Sequence, residues 1–185
     1  MRNQKEREML CKMQNVYASL FATVNKLQAC ADASTGGLTS RQYLLLTTID
    51  KMVPEEATLN NIASKLATSK QNVNKLVTML EEKGFVKVIP SKADKRAVNV
   101  SVTKKGEKAV EKSTINVYQF YANVFKGFPD HEIEDLQTLI NKLAAFDGVP
   151  MEQFASDKTE YVEIETSEFE DFLKEFSKNR KKIGK

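Results

Sequence analysis

The 185 residues carry 41% hydrophobic and 29% charged side chains at a formal net charge of +3, a balance that suits one packed core with an appendage and excludes wholesale disorder. No apolar run approaches the roughly 20 residues that cross a bilayer, and MRNQKEREMLCKMQ lacks the continuous apolar stretch of a signal peptide. The expectation is a cytoplasmic protein with no membrane partner.

Residues 6–31 place Leu10, Met13, Val16, Tyr17, Leu20, Phe21, Val24 and Leu27 at three-and-four spacing, which predicts a long amphipathic helix. Cys11 and Cys30 both fall on it, about 28 Å apart at 1.5 Å per residue, far too distant for a disulfide. A second helix is predicted from LTSRQY, where Thr39 caps, Gln42 completes a capping box, and Leu38 staples against Tyr43. Its expected apolar set is Tyr43, Leu44, Leu46 and Ile49, and Pro54 lies beyond its end.

The segment TLNNIASKLATSKQNVNKLVTMLEEKGFV predicts two capped helices joined by a tight turn. Thr58 caps the first, whose buried side is Leu59, Ile62, Ala63 and Leu66. Thr68 with Gln71 is the expected capping box of the second, which buries Val73, Leu76, Val77 and Leu80 and stops at Gly84. This is a helix-turn-helix. At 100° per residue Gln71, Asn74, Lys75 and Thr78 occupy the outer face, with Ser69 and Lys70 at the N-terminus. That face has no carboxylate before Glu81 and Glu82, and its amides, hydroxyls and ammonium groups suit base edges and phosphates of a major groove.

Two β-branched runs follow, Val86-Val88-Ile89 and Val98-Val100-Val102, around the charged tip Lys92, Asp94, Lys95 and Arg96. Alternation with Asn99 and Ser101 predicts a half-buried hairpin. Residues 58–108 hold eleven basic and four acidic side chains, a local +7 against the +3 of the whole chain, as an electrostatic footprint for double-stranded DNA requires.

Next, TKKGEKAVEKSTINVYQFYANVFKGF predicts a helix bearing Val110, Val117, Tyr118, Phe120, Tyr121, Val124 and Phe125, broken at Pro129-Asp130. A further helix, capped by Asp130, carries Ile133, Leu136, Leu139, Ile140, Leu143 and Phe146. These two helices and the first are more apolar than one small domain needs, which points to a homodimer. In the tail, TEYVEIE reads as a strand, Ser167 with Glu170 caps a stretch bearing Phe169, Phe172, Leu173 and Phe176, and KNRKKIGK is basic.

Chemistry-bearing motifs are few. His131 is the single histidine and there is no CxxC, GxGxxG or GxxxxGK[ST], so no catalytic residues, metal ligands or cofactor are expected and the chain is read as a non-enzyme.

The ordered set EEKGFV, DKR and VTKKG, with LTSRQYLLLTTI upstream, resembles the MarR family of bacterial winged-helix transcriptional regulators over residues 38–110. The resemblance implies a mainly α fold with a small β-hairpin wing, a winged helix-turn-helix plus a helical dimerisation region. It also implies a homodimer on pseudo-palindromic operator DNA, here read as a repressor released by a small ligand. By position, Ser69, Lys70, Gln71, Asn74, Lys75 and Thr78 correspond to the family's major-groove helix. Asp94, Lys95 and Arg96 form the wing tip, where the arginine enters the minor groove and the aspartate helps hold it. Upstream, Ser91-Lys92-Ala93 departs from the family's usual acidic residue and proline. The implied organisation is an N-terminal dimerisation helix (1–37), a winged helix-turn-helix (38–105), C-terminal dimerisation helices (106–149) and an extension without assigned role (150–185). A small aromatic or amphipathic effector would bind between the helices and the winged domain, with Tyr17, Phe21 and Tyr43 as walls or as plain core. Cys11 lies where some relatives sense oxidants, though only Arg7 and Lys12 stand near it to lower a thiol pKa. The rival class is a winged helix serving only as a protein-interaction module without DNA binding.

Overall fold

The computed structural model describes residues 2–34, 36–91, 96–149 and 167–180. The described residues form a helical molecule with one antiparallel hairpin: α1 (Arg2–Ser34), α2 (Ser40–Asp50), α3 (Leu59–Lys65), α4 (Lys70–Glu82), β1 (Val86–Pro90), β2 (Val98–Val102), α5 (Lys104–Val124), α6 (Asp130–Ala144) and α7 (Ser167–Arg180). The expected mainly α fold with a β-hairpin wing is what the chain adopts. The strand expected at TEYVEIE and the basic residues past Arg180 lie outside the described residues.

α1 extends 33 residues, about 50 Å at 1.5 Å per residue. Every residue from Asn3 to Ser19 is exposed, so only its C-terminal part rests on the rest of the chain. α2 opens on the predicted capping box, with Gln42 N–H donating to Thr39 Oγ1 and Thr39 N–H donating to Gln42 Oε1, both at 3.2 Å. Its core face differs from the expected one by a residue. Leu45 is fully buried while Leu44 is 42% exposed, because Leu45 shares the helix face of Gln42, Leu46 and Ile49, the side that meets the rest of the core.

α3 is capped by Thr58 and α4 by Ser69, whose hydroxyl accepts from Asn72 N–H at 3.2 Å. The expected Thr68–Gln71 box therefore does not form; a single Ser69 side-chain cap one residue further on takes its place. The turn before it uses Ala67 in the left-handed region (φ +45°), which leaves Ser69 extended at the cap position; Thr68 Oγ1 instead accepts from the Asn72 side chain at 3.2 Å. Val73, Val77 and Leu80 of α4 are buried with Ile62, Leu45, Leu46, Val86 and Val100 in one core. Burying each such side chain contributes about 1.5–3 kcal/mol. Gly84 ends α4 at φ +71°, as a C′ glycine should.

β1 and β2 pair in the register Val86↔Val102 through Pro90↔Val98. The alternation expected for β2 is not what forms: Asn99 is 7% exposed beside the buried Val100. The loop before α3 covers that face, with Thr58 bridging to Asn99 and Val100 N–H donating to Ala57 O at 2.9 Å. The Asn99 amide donates to Pro54 O and Glu55 O, both at 2.8 Å, so the side chain is buried with its donors satisfied.

α5 is capped by Thr103, and Gly106 in its first turn is buried under the hairpin base. α6 begins with Pro129 as N-cap and no side-chain cap bond. Asp130, the expected cap, is the first helical residue and pairs with Arg180 of α7 instead. No described residue of α6 is buried.

Candidate nucleic-acid interface

Ser69, Lys70, Gln71, Asn74, Lys75 and Thr78 are all exposed, on the side of α4 opposite its buried Val73, Val77 and Leu80. The helix is held from beneath by the core and at its C-terminal end by donors from outside it. Lys105 Nζ donates to Lys83 O at 2.7 Å and Phe85 N–H to Leu80 O at 2.8 Å, so carbonyls left open at the helix end are met. Two of the predicted polar side chains are turned to local work: Ser69 Oγ caps α4, and Thr78 Oγ1 donates to Asn74 O at 3.0 Å. Gln71, Asn74, Lys70 and Lys75 remain as an outward set of amides and ammonium groups. Of the carboxylates at the far end, Glu81 accepts from Val88 N–H of β1 at 3.4 Å, which directs it toward the hairpin.

Arg96 stands exposed at the turn where the hairpin comes back toward β2. Ser91 N–H donates to Ala97 O at 3.0 Å and closes the ribbon below it. Asp94 and Lys95, with Lys92, lie outside the described residues. The Asn99 amide ties β2 to the loop before α3 close to the outer end of the strand pair, one residue inside the Pro90↔Val98 pair.

Behind α4 lies a cavity of about 700 Å³ walled by α1, α2, α4 and α5. Tyr43, Leu44, Leu76, Phe120 and Tyr121 line it, together with the charged Arg41. Thr68 and Asn72, at the opening of α4, also border it, so the same short segment faces both the cavity and the outer helix surface. Arg41 donates to Gln28 Oε1 at 3.0 Å and links α2 to α1 there. Burial pushes the hydroxyls of Tyr43 and Tyr121 above the usual tyrosine value, since a phenolate is poorly solvated in such a setting.

Of the expected walls, Tyr43 borders this cavity. Tyr17 and Phe21 stand away from it on α1, 65% and 59% exposed, with ring centroids 5.0 Å apart. Cys11 and Cys30 are both exposed free thiols. Leu44, Leu76, Phe120 and Tyr121 were not singled out as walls; the signal available was an apolar excess, since α2 and α5 carry apolar residues beyond those one core-facing stripe needs.

The MarR family model matches residues 38–98, from the start of α2 to the return strand of the hairpin. The HTH-type transcriptional regulator PrsX of Escherichia coli is 29% identical over 115 residues, covering 61% of this chain and 69% of that protein. Among solved structures, the S. aureus MepR–DNA complex superposes with a TM-score of 0.63 at 23% identity, over 70% of this chain and 96% of that one. CouR from Rhodococcus jostii RHA1, bound to p-coumaroyl-CoA, superposes with a TM-score of 0.61 at 18% identity, over 70% and 91%.

Proposed function

We propose that this chain, whose residues 38–98 match the MarR family model, acts as a homodimeric, sequence-specific DNA-binding regulator, a repressor released by a small ligand. The observation that carries the proposal is the outer face of α4, whose exposed Lys70, Gln71, Asn74 and Lys75 meet no carboxylate before Glu81, within a segment of net +7. In a major groove the two amides would read base edges and the lysines would meet phosphates. Arg96, with Asp94 and Lys95 beside it in sequence, would reach the adjacent minor groove, where negative potential concentrates as the groove narrows.

The dimer is supported by apolar surface without cover in one chain. Leu10, Met13, Val16 and Tyr17 of α1 and Leu139, Ile140 and Leu143 of α6 are each 48–65% exposed, and apolar faces of this kind ordinarily find cover in a partner. A second copy, pairing residues 1–37 with 106–149, would cover both faces and set two α4 helices at the spacing of a pseudo-palindromic operator. Sedimentation should give about twice the 20.9 kDa chain mass.

Ligand release is supported by the cavity, which is large enough for a small aromatic or amphipathic effector and borders the opening of α4. The solved relative with p-coumaroyl-CoA supports an effector of that general kind. A ligand that binds one arrangement of α4 better than another shifts DNA affinity by its differential affinity and no more.

The deciding experiment selects bound fragments from genomic DNA and then measures affinity against salt. A regulator contacting about 6–10 phosphates loses about 10³–10⁵ in affinity between 50 and 200 mM salt. A protein-interaction module would show no salt-dependent duplex binding at all. A reporter under the selected operator then gives the sign of regulation.

A further inference from the structure

The helix α7 takes no part in the function proposed above, yet it is docked at both ends. Phe169 and Phe172 lie against Tyr118 of α5, with ring centroids 5.5 and 6.5 Å away, and Phe172 stacks on Phe176 at 6.0 Å. Three-and-four spacing puts these phenylalanines on one face of α7. At the C-terminal end Arg180 donates to Phe125 O at 3.4 Å and to Phe128 O at 2.5 Å, and pairs with Asp130. Phe125 is the C-cap of α5, where carbonyls have no donor within the helix, and its carbonyl accepts from Phe128 N–H at 3.1 Å as well as from Arg180. A guanidinium presents its donors in a planar fork, so one side chain reaches two carbonyls and a carboxylate. The Arg180 side chain is 18% exposed, which sets it apart from the solvated lysines of the same helix.

The stretch of α5 gripped in this way is one wall of the cavity. Phe120, Tyr121, Val124 and Phe125 line it, and Tyr118, held by α7, has its ring centroid 6.3 Å from that of Tyr121. α7 therefore backs the wall at its middle, through Tyr118, and at its end, through the Phe125 and Phe128 carbonyls. The α5–α6 corner held by Arg180 follows directly on the cavity-lining residues Val124 and Phe125.

We propose that α7 is the outer support of the ligand cavity, with Phe172 and Arg180 as positioning residues that act through α5 to set the cavity's shape. The proposal rests on the reading of that cavity as a ligand site. Without α7 the outer side of α5 loses its cover and its last turn loses Arg180, so Tyr121 and Phe125 gain room to move outward and the cavity loosens.

The test uses the full chain and four variants: Phe172→Ala, Arg180→Ala, Arg180→Lys, and Lys174→Ala as a control whose ammonium, 74% exposed, pairs only with the exposed Asp171 in the described structure. Three quantities are measured on each: amide hydrogen exchange over residues 118–128, the dissociation constant of the apolar fluorescent probe 1-anilinonaphthalene-8-sulfonate, and the thermal midpoint. Phe172→Ala and Arg180→Ala should raise exchange over 118–128 at least about tenfold and shift probe affinity at least about fivefold, with Lys174→Ala matching the unaltered protein. Arg180→Lys should fall between, because one ammonium does not span both carbonyls and the carboxylate. Unchanged exchange over 118–128 and unchanged probe affinity in both main variants, whatever the midpoint does, would mean that α7 only covers α5, and the proposal fails. If a main variant does not fold, Arg180→Lys decides by the same criteria. Should the unaltered protein bind no probe, the cavity reading fails by itself, and exchange over 118–128 still decides whether α7 holds α5.

Discussion

The hydroxyl of Tyr43 on α2 lies 3.2 Å from Thr114 Oγ1 on α5, buried between two of the four helices that wall the cavity. Thr114 Oγ1 also lies 2.8 Å from Val110 O, to which it donates. A threonine hydroxyl has one proton, so Tyr43 is the donor of the cross-helix bond. Removing it with Tyr43→Phe should cost about 0.5–1.5 kcal/mol at neutral pH. Tyr43 and Tyr121 are both held above the ordinary tyrosine value of 10.0, first by burial. The unfolded chain ionises these groups first, so their share of stability is complete below about pH 10 and is lost as pH rises above it. Urea midpoints measured from neutral pH upward should fall above that point, and fall less steeply in Tyr43→Phe. An equal alkaline slope in both proteins would count against the assignment.

The cap of α4 is settled by a comparison of neighbours. Ser69→Ala removes the hydroxyl that accepts from Asn72 N–H and should cost about 1 kcal/mol. Thr68→Ala removes only an acceptor for the Asn72 side chain and should cost less. Chemical denaturation of the two variants orders them; the reverse order would restore the capping box first expected from T-x-x-Q.

Gly106→Ala should be severe, against the usual gain of about 1 kcal/mol for replacing glycine by alanine inside a helix. A Cβ there would meet Phe85 O at 2.2 Å and Val102 Cγ1 at 2.9 Å. The first of these is backbone and has no rotamer to give, so α5 must shift from the hairpin base, at about 3 kcal/mol. A thermal midpoint equal to that of the unaltered protein would show that the strand and helix are less tightly joined than the geometry requires.

The wing separates anchorage from contact. Asn99→Ala strips two hydrogen bonds from a buried site and should cost about 1–3 kcal/mol of stability, with weaker duplex binding as a consequence. Arg96→Ala leaves the Asn99 anchor untouched; it should weaken binding across all sequences and shallow the salt slope by about one unit. Gln71→Ala or Asn74→Ala should instead relax preference at one or two base pairs for about 1–3 kcal/mol. Titrating each variant against the selected operator and its single-base variants at several salt concentrations distinguishes the two arms. An Arg96→Ala protein with an unchanged slope would reduce the hairpin tip to a charged turn.

Much of this protein is written locally. Thr39, Thr58 and Thr103 mark their helix starts by side-chain chemistry within three residues, Gly84 marks a stop by tolerating φ +71°, and the apolar stripe of α4 leaves Gln71, Asn74 and Lys75 outside by periodicity alone. These are properties of neighbours along the chain, so the fold and the outward face were legible in the sequence. Other outcomes depend on which segments meet. Leu45 rather than Leu44 is buried because the core lies on that side of α2, and Asn99 is inside because a loop more than forty residues upstream supplies its two acceptors. The cavity exists where the apolar faces of α1, α2, α4 and α5 diverge, and no single stretch of sequence states how far apart four helices stand. Arg180 read as one more basic tail residue; its partners at Phe125, Phe128 and Asp130 lie 50–55 positions away. Periodicity specifies which side of a helix avoids water, whereas crossing geometry decides what that side touches.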